Sequence, residues 1–143
     1  MAKTLGWLNI VRLGLVQTAL GSIVVLTTST MNRVMVVELA LPAMLPGALV
    51  TLHYGLQILR PRFGYGSDQG GRRTPWIVSG MAILAIGAIA AALATAWMAT
   101  DTASGIALAV FAFVLIGVGV GACGTSLLAL MATHVAPERK SAA

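Results

Sequence analysis

The chain has 143 residues, 58% of them hydrophobic and 9% charged, with a net charge of +5 and a mean hydropathy of +0.92. Soluble domains carry roughly 25% charged residues; too few charges are present here to coat a soluble core, and the composition places the chain in a membrane. The positive balance does not indicate nucleic acid, because the aromatic-basic interleaving of a single-strand binder is missing. The one cysteine, Cys123, lies in an apolar run and builds no disulfide framework.

Residues 1–12 form a short basic lead-in with Lys3, Trp7 and Arg12. Its Leu5, Trp7 and Leu8 suit the headgroup level, where indole rings are favoured. Lys3 followed by apolar sequence resembles the start of a signal peptide. No small-x-small cleavage site precedes Thr27, however, and more spans follow, so the first helix is read as uncleaved.

Four transmembrane helices are predicted, over residues 13–30, 42–59, 76–98 and 105–131, making the chain an all-α integral membrane bundle. Span 1 carries no formal charge, and its eighteen residues rise roughly 27 Å, enough for the hydrocarbon core. It has room to continue through Met31–Leu39. Span 2 holds Pro46 in its first turns. Span 3 opens on Thr74-Pro75, a hydroxyl cap followed by a proline at the first helical position, where its missing N–H is not needed. Residues 132–143 form a polar tail, which is expected to fray.

The basic residues orient the bundle. Lys3 and Arg12 precede span 1; Arg60, Arg62, Arg72 and Arg73 separate spans 2 and 3; Arg139 and Lys140 follow span 4. Eight of the nine fall on one side and only Arg33 on the other. The positive-inside rule puts both termini in the cytoplasm, with short outer loops around 32–40 and 100–104.

The stretch Arg60–Trp76 is the long polar island of the chain. It reads as a cytoplasmic hairpin in which glycines permit tight turns, Asp68 accepts from helix-end N–H groups or pairs with an arginine, and arginines anchor at headgroups. An ordinary positive-inside loop is the plainer reading of the same residues. The spacing of Gly64, Ser67, Asp68, Gly71, Arg72 and Arg73 resembles the helix 2–3 loop of the major facilitator superfamily, G-x-L-A-D-x-x-G-R-R. Gly66 stands where leucine is usual, Ser67 replaces alanine, and Gln69 replaces a frequent basic residue. The resemblance implies that Gly64, Asp68, Gly71, Arg72 and Arg73 form a conformational latch, made and broken during alternating access.

The run Thr30 to Asp68, above all Asn32-Arg33-Val34 through Glu38 and Arg60-Pro61-Arg62-Phe63-Gly64, is similar to the PucC/LhaA group, the bacteriochlorophyll-delivery branch of the major facilitators. That resemblance extends from Arg12 to about Lys140. It implies a multi-pass protein of the bacterial inner, intracytoplasmic photosynthetic membrane. The implied role is assembly of light-harvesting complexes, with bacteriochlorophyll as the molecule handled and antenna or reaction-centre subunits as partners. Major facilitators have twelve helices in three-helix repeats, whereas four are counted here. Ala136-Pro137-Glu138-Arg139 resembles the start of the family's helix 4–5 loop. The chain is therefore read as the N-terminal third of a longer transporter-like protein, or as a short protein that needs partners. Two other readings stand beside delivery: a small structural subunit bound to a photosynthetic complex, and a fragment of a generic transporter.

Within span 1, Gln17, Gly21, Thr28 and Asn32 follow one helical stripe, and Thr18, Ser22, Ser29 and Arg33 follow the next. Lipid cannot satisfy such a face, so it is expected to meet neighbouring helices or a pigment groove. Arg33 and Glu38 are the two charges between spans 1 and 2, either solvated or turned toward each other or a ligand. Their spacing of five suits a same-helix pair poorly. His53, beside Tyr54, is either a hydrogen-bonded packing residue or an axial ligand for the magnesium of a bacteriochlorin. Asn32, Arg33, Glu38 and His53 are thus the candidate pigment or groove contacts, while His134 is placed in a solvated tail. No second histidine stands at ligand spacing, so no protein metal site is expected.

Gly119-x-Gly121-x-x-Gly124 matches a dinucleotide fingerprint, but it lacks the preceding strand and lies inside an apolar run. Gly117, Gly121 and Gly124 in span 4, and Gly80, Gly87, Ala91 and Ala94 in span 3, read as close-packing faces. No nucleophilic set and no phosphate loop is present, and the chain is not expected to be an enzyme.

Overall fold

A computed structural model describes residues 5–135; Lys3, Arg139, Lys140 and the 136–139 segment lie outside the described residues. Among those described, every regular element is helical. They are α1 (Trp7–Val25), α2 (Met31–Arg33), α3 (Met44–Gly55), α4 (Arg60–Gln69), α5 (Thr74–Trp97) and α6 (Thr102–His134). Two π-helical segments, Leu26–Thr30 and Val34–Glu38, join α1 and α2 into one run, and a 3-10 turn, Leu56–Leu59, joins α3 to α4. The chain is an all-α, multi-pass membrane protein. The runs Trp7–Glu38, Thr74–Trp97 and Thr102–His134 are each long and apolar enough to cross a bilayer.

The first run is longer than 13–30. It starts at Trp7, inside the expected lead-in, and carries on through the expected outer loop to Glu38. The cause is local. Four hydroxyl residues in a row, Thr27-Thr28-Ser29-Thr30, occupy the first π-helical segment. The Thr27 hydroxyl donates to the Ile23 carbonyl at 2.7 Å, and Thr28 to Val24 at 2.8 Å. Side-chain donors of this kind supply carbonyls in widened turns. The turn expected between spans 1 and 2 contracts to the five residues after Glu38 and bends at Ala40, which holds a left-handed φ of 50°.

The second pass departs further from 42–59. Its apolar helix α3 has only 12 residues, about 18 Å of rise, and helical structure continues to Gln69 through α4. The polar island is therefore mostly helix, with its turn confined to residues 70–73. Pro61 sits in the first turn of α4, where proline is tolerated. Gly64 and Gly66 serve packing rather than turning. A Cβ on Gly66 would lie 3.0 Å from the Trp76 ring, and one on Gly64 3.4 Å from the Thr125 methyl. Ser67, the residue after Gly66, is fully buried and donates to the Gly64 carbonyl at 2.9 Å. Gly71 alone supplies the turn, with φ +63°.

Helix α6 is the axle of the bundle, packed on α1, α3, α4 and α5. Asp101 caps its start, accepting from the Ala103 and Ser104 amides at 3.1 and 3.4 Å. Its glycines fit three different neighbours. A Cβ on Gly119 would meet the Leu84 amide nitrogen of α5 at 2.6 Å, one on Gly121 the Phe63 ring of α4 at 2.9 Å, and one on Gly117 the Leu56 side chain at 2.8 Å. Facing them, Gly80 and Gly87 of α5 would bring a Cβ to 2.6 and 3.0 Å from the backbone of Cys123 and Ile116. Gly80, Gly87, Ala91 and Ala94 are all buried. The small residues let two membrane helices touch backbone to backbone, which replaces a hydrophobic drive that lipid does not supply. The Gly119/Gly121/Gly124 triplet lies wholly within this helix, with no strand before it.

Candidate functional site

The residues marked by sequence fall into three places. At one end of the bundle, the turn after α4 brings Asp68 and Arg73 together. Arg73 donates from Nη2 and Nε to one carboxylate oxygen of Asp68, at 2.6 and 3.2 Å. Its remaining nitrogen, Nη1, donates to the Thr133 hydroxyl at 2.9 Å. Thr133 in turn donates to the Ala129 carbonyl at 2.8 Å and lies 2.8 Å from Nδ1 of His134. The His134 carbonyl accepts the amide of Leu5 at 2.9 Å. One arginine thus ties the 70–73 turn to the last turn of α6, and a separate backbone bond ties α6 to Leu5.

His134 closes α6 and is half-buried, so it is not a solvated tail residue. Thr74 also departs from expectation. Arg73 occupies the cap position, Thr74 is already helical, and no side chain caps this end of α5. The guanidinium is instead committed to Asp68 and Thr133. Arg72, the other arginine of the motif, is exposed and makes no ion pair among the described residues. The contributions of Thr133, His134 and Leu5 leave no trace in local sequence, since they lie 60 or more positions from the turn they brace or across the whole chain.

The second place is the polar face of the first run. Gln17, Thr18, Ser22, Ser29, Asn32 and Arg33 are exposed, and Gly21 and Thr28 half-buried. Gly14 and Gly21 meet nothing within 4 Å, unlike Gly80, Gly87 and Gly119, which are met by backbone. None of the described helices covers this face. A shallow hollow of about 500 Å³ lies along Thr18, Gly21, Ser22, Val25 and Leu26. Where the run widens, an apolar cavity of about 240 Å³ opens between Ile23, Thr27, Thr30, Met31 and Ala88 of α5. Arg33 and Glu38, both exposed at the C-terminal end of the run, form no ion pair with each other.

The third place is His53. It is 1% exposed, and its Nδ1 has no hydrogen-bond partner. The α3 backbone at His53 presses on α6, since a Cβ on Gly117 would lie 3.1 Å from the His53 carbonyl. Its ring meets Tyr54 edge-on at 4.8 Å. His53 is enclosed, whereas Asn32, Arg33 and Glu38 are open. Among the described residues, no three His, Cys, Asp or Glu side chains gather closely enough to hold a metal ion.

Comparison with known proteins fits this arrangement to one family. Residues 30–143 match the family model described as PUCC protein. The chain is 61% identical over 140 residues to the "Bacteriochlorophyll synthase 44.5 kDa chain" of Rhodobacter capsulatus, an alignment covering 98% of this chain and 33% of that protein. It is 35% identical over 148 residues to "Protein PucC" of Cereibacter sphaeroides, covering 91% of this chain and 31% of that protein. The chain thus spans about a third of the length of these curated relatives. No solved structure matches it significantly. The chain belongs to the PucC family of photosynthesis-related membrane proteins.

Proposed function

We propose that this chain is part of a non-catalytic membrane assembly factor for bacterial light-harvesting complexes, handling bacteriochlorophyll for delivery. The observation that carries this reading is the 61% identity, along nearly the whole chain, to a relative named for bacteriochlorophyll synthesis. The bundle sits in the bacterial inner membrane, crossing it four times with the 70–73 turn and both termini in the cytoplasm. The excess of basic residues at that end supports this orientation.

We place the pigment on the open face of the first run rather than at His53. A magnesium chlorin needs an open imidazole for axial ligation, and His53 is shut between α3 and α6. Its unpartnered Nδ1 leaves a nitrogen free, but access requires α3 to part from α6. The open face of the first run offers a different fit. Asn32 and Arg33 stand on it as hydrogen-bond donors, and the apolar cavity at Ile23, Thr27 and Met31 opens on the side of the same run that faces Ala88 of α5. When bound, the pigment supplies the light-absorbing macrocycle. The chain's part is to present donors to its polar rim and apolar wall to the rest, shielded from water. The Asp68–Arg73 pair is the latch that holds the cytoplasmic end closed.

The test is purification of the chain in detergent from cells that make bacteriochlorophyll. A co-purifying near-infrared band, weakened in Asn32→Ala and Arg33→Gln, supports the reading; a chain that purifies colourless refutes it. A second reading draws on the uncovered Gly14 and Gly21. The same face is then a packing surface for a photosynthetic complex, with no pigment handling. Stoichiometric co-migration of a colourless chain with a reaction-centre particle supports that alternative.

A further inference from the structure

A cavity of about 560 Å³ opens beside the latch, lined by Arg72, Arg73, Thr74, Pro75, Val78, Leu130 and His134. Its rim is polar and basic, from Arg72, Arg73, Thr74 and His134. Its wall is apolar, from Pro75, Val78 and Leu130, and runs from the ends of α5 and α6 toward their interiors. The charges do not cancel. Arg73 is neutralised by Asp68 and fully occupied by Asp68 and Thr133, while Arg72 is exposed and unpaired among the described residues. Val78, 63% exposed, keeps the wall open to the surroundings of the bundle.

A cationic rim over an apolar wall, at the end of membrane-crossing helices, matches an amphiphile with an anionic head. We infer that this cavity is a site for an anionic phospholipid. The phosphodiester pairs with the guanidinium of Arg72, with the Thr74 hydroxyl as a second donor, and an acyl chain lies along Val78 and Leu130. Arginine suits the head because its planar fork donates to two phosphate oxygens at once. A free phosphate shares the head chemistry but has no use for the apolar wall, which is why the lipid is favoured. The site does not depend on the pigment reading.

The experiment is native mass spectrometry of the full chain, released from micelles containing phosphatidylglycerol, phosphatidylcholine or inorganic phosphate alone. The expected result is retention of phosphatidylglycerol over phosphatidylcholine, reduced roughly fivefold in Arg72→Gln, the factor contributed by one basic residue near an anionic surface. Arg62→Gln removes the same charge from α4 outside the cavity and is expected to leave retention unchanged. Val78→Asp, which puts a charge on the wall, is expected to lower lipid retention while leaving the helical circular dichroism intact. Equal retention of both lipids, or equal loss in Arg62→Gln and Arg72→Gln, overturns a defined site. Millimolar phosphate that displaces the lipid overturns the choice of a lipid.

Discussion

Arg73 and Thr133, sixty positions apart, meet at 2.9 Å, and this bond joins the turn between α4 and α5 to the last turn of α6. The same guanidinium holds Asp68, whose side chain is 57% exposed while that of Arg73 is 19% exposed. An ion pair this open is worth about 0.2–1 kcal/mol. The pair therefore sets a geometry that modest forces can break.

A double-mutant cycle on Arg73→Gln and Thr133→Val is expected to show coupling of about 0.5–1.5 kcal/mol, the range for a net hydrogen bond. Hydrogen exchange should speed up in residues 70–73 and at the end of α6 together. Arg73→Lys is not expected to rescue it, because one ammonium cannot reproduce the fork that serves Asp68 and Thr133 at once. Independent loosening of the two segments would show that they are not coupled.

Glycine substitutions should separate faces already in use from faces awaiting a partner. Gly119→Ala places a methyl 2.6 Å from the Leu84 nitrogen, and is expected to cost about 1–3 kcal/mol by overpacking. Gly14→Ala meets nothing and should leave the thermal midpoint in detergent unlowered, since alanine favours a helix interior by about 0.5–1 kcal/mol over glycine. Should Gly14→Ala nonetheless reduce assembly of antenna complexes in cells, the face of the first run is occupied there.

His53→Leu distinguishes packing from ligation. Burying a polar atom without a partner costs roughly 1–3 kcal/mol, so an apolar side chain of similar size is expected to leave the bundle as stable or more so. Loss of a near-infrared band in a protein of unchanged melting temperature would show that α3 does open and that the imidazole reaches the pigment.

Asp101 gives the start of α6 a pH dependence. The Ser104 hydroxyl and the Ser104 and Ala103 amides favour its carboxylate and hold its pKa below the usual value. A depressed folded-state pKa contributes stability above the ordinary carboxylate range, and that stability is lost as pH falls through the lowered value. Amide protection at the first turn of α6 should fall on acidification in the native chain. Asp101→Asn keeps a capping oxygen and is expected to show no such fall.

Local chemistry made much of this legible. The apolar stretches, the small-residue stripes of α5 and α6, and the pairing of Asp68 with an arginine all rest on composition or on residues five or fewer apart. The misplaced boundaries share a cause. Residues 32–38 and 60–69 contain the charges and glycines that signal loops, yet both are helical. In the first, helical structure runs on from the hydroxyl-rich π-helical segment Leu26–Thr30 into a second, Val34–Glu38. The second is carried through because Gly64 and Gly66 admit the side chains of Thr125 and Trp76.

By itself the sequence determined that this chain lives in a bilayer, which end of it is basic, and which helix faces can approach closely, since hydropathy and side-chain size are properties of residues in place. Only the tertiary structure decided that Arg73 rather than Arg72 pairs with Asp68, that His53 is enclosed, and that the polar face of the first run stays open. Each of those depends on which helix stands opposite, and that is settled by contacts between residues far apart in the chain.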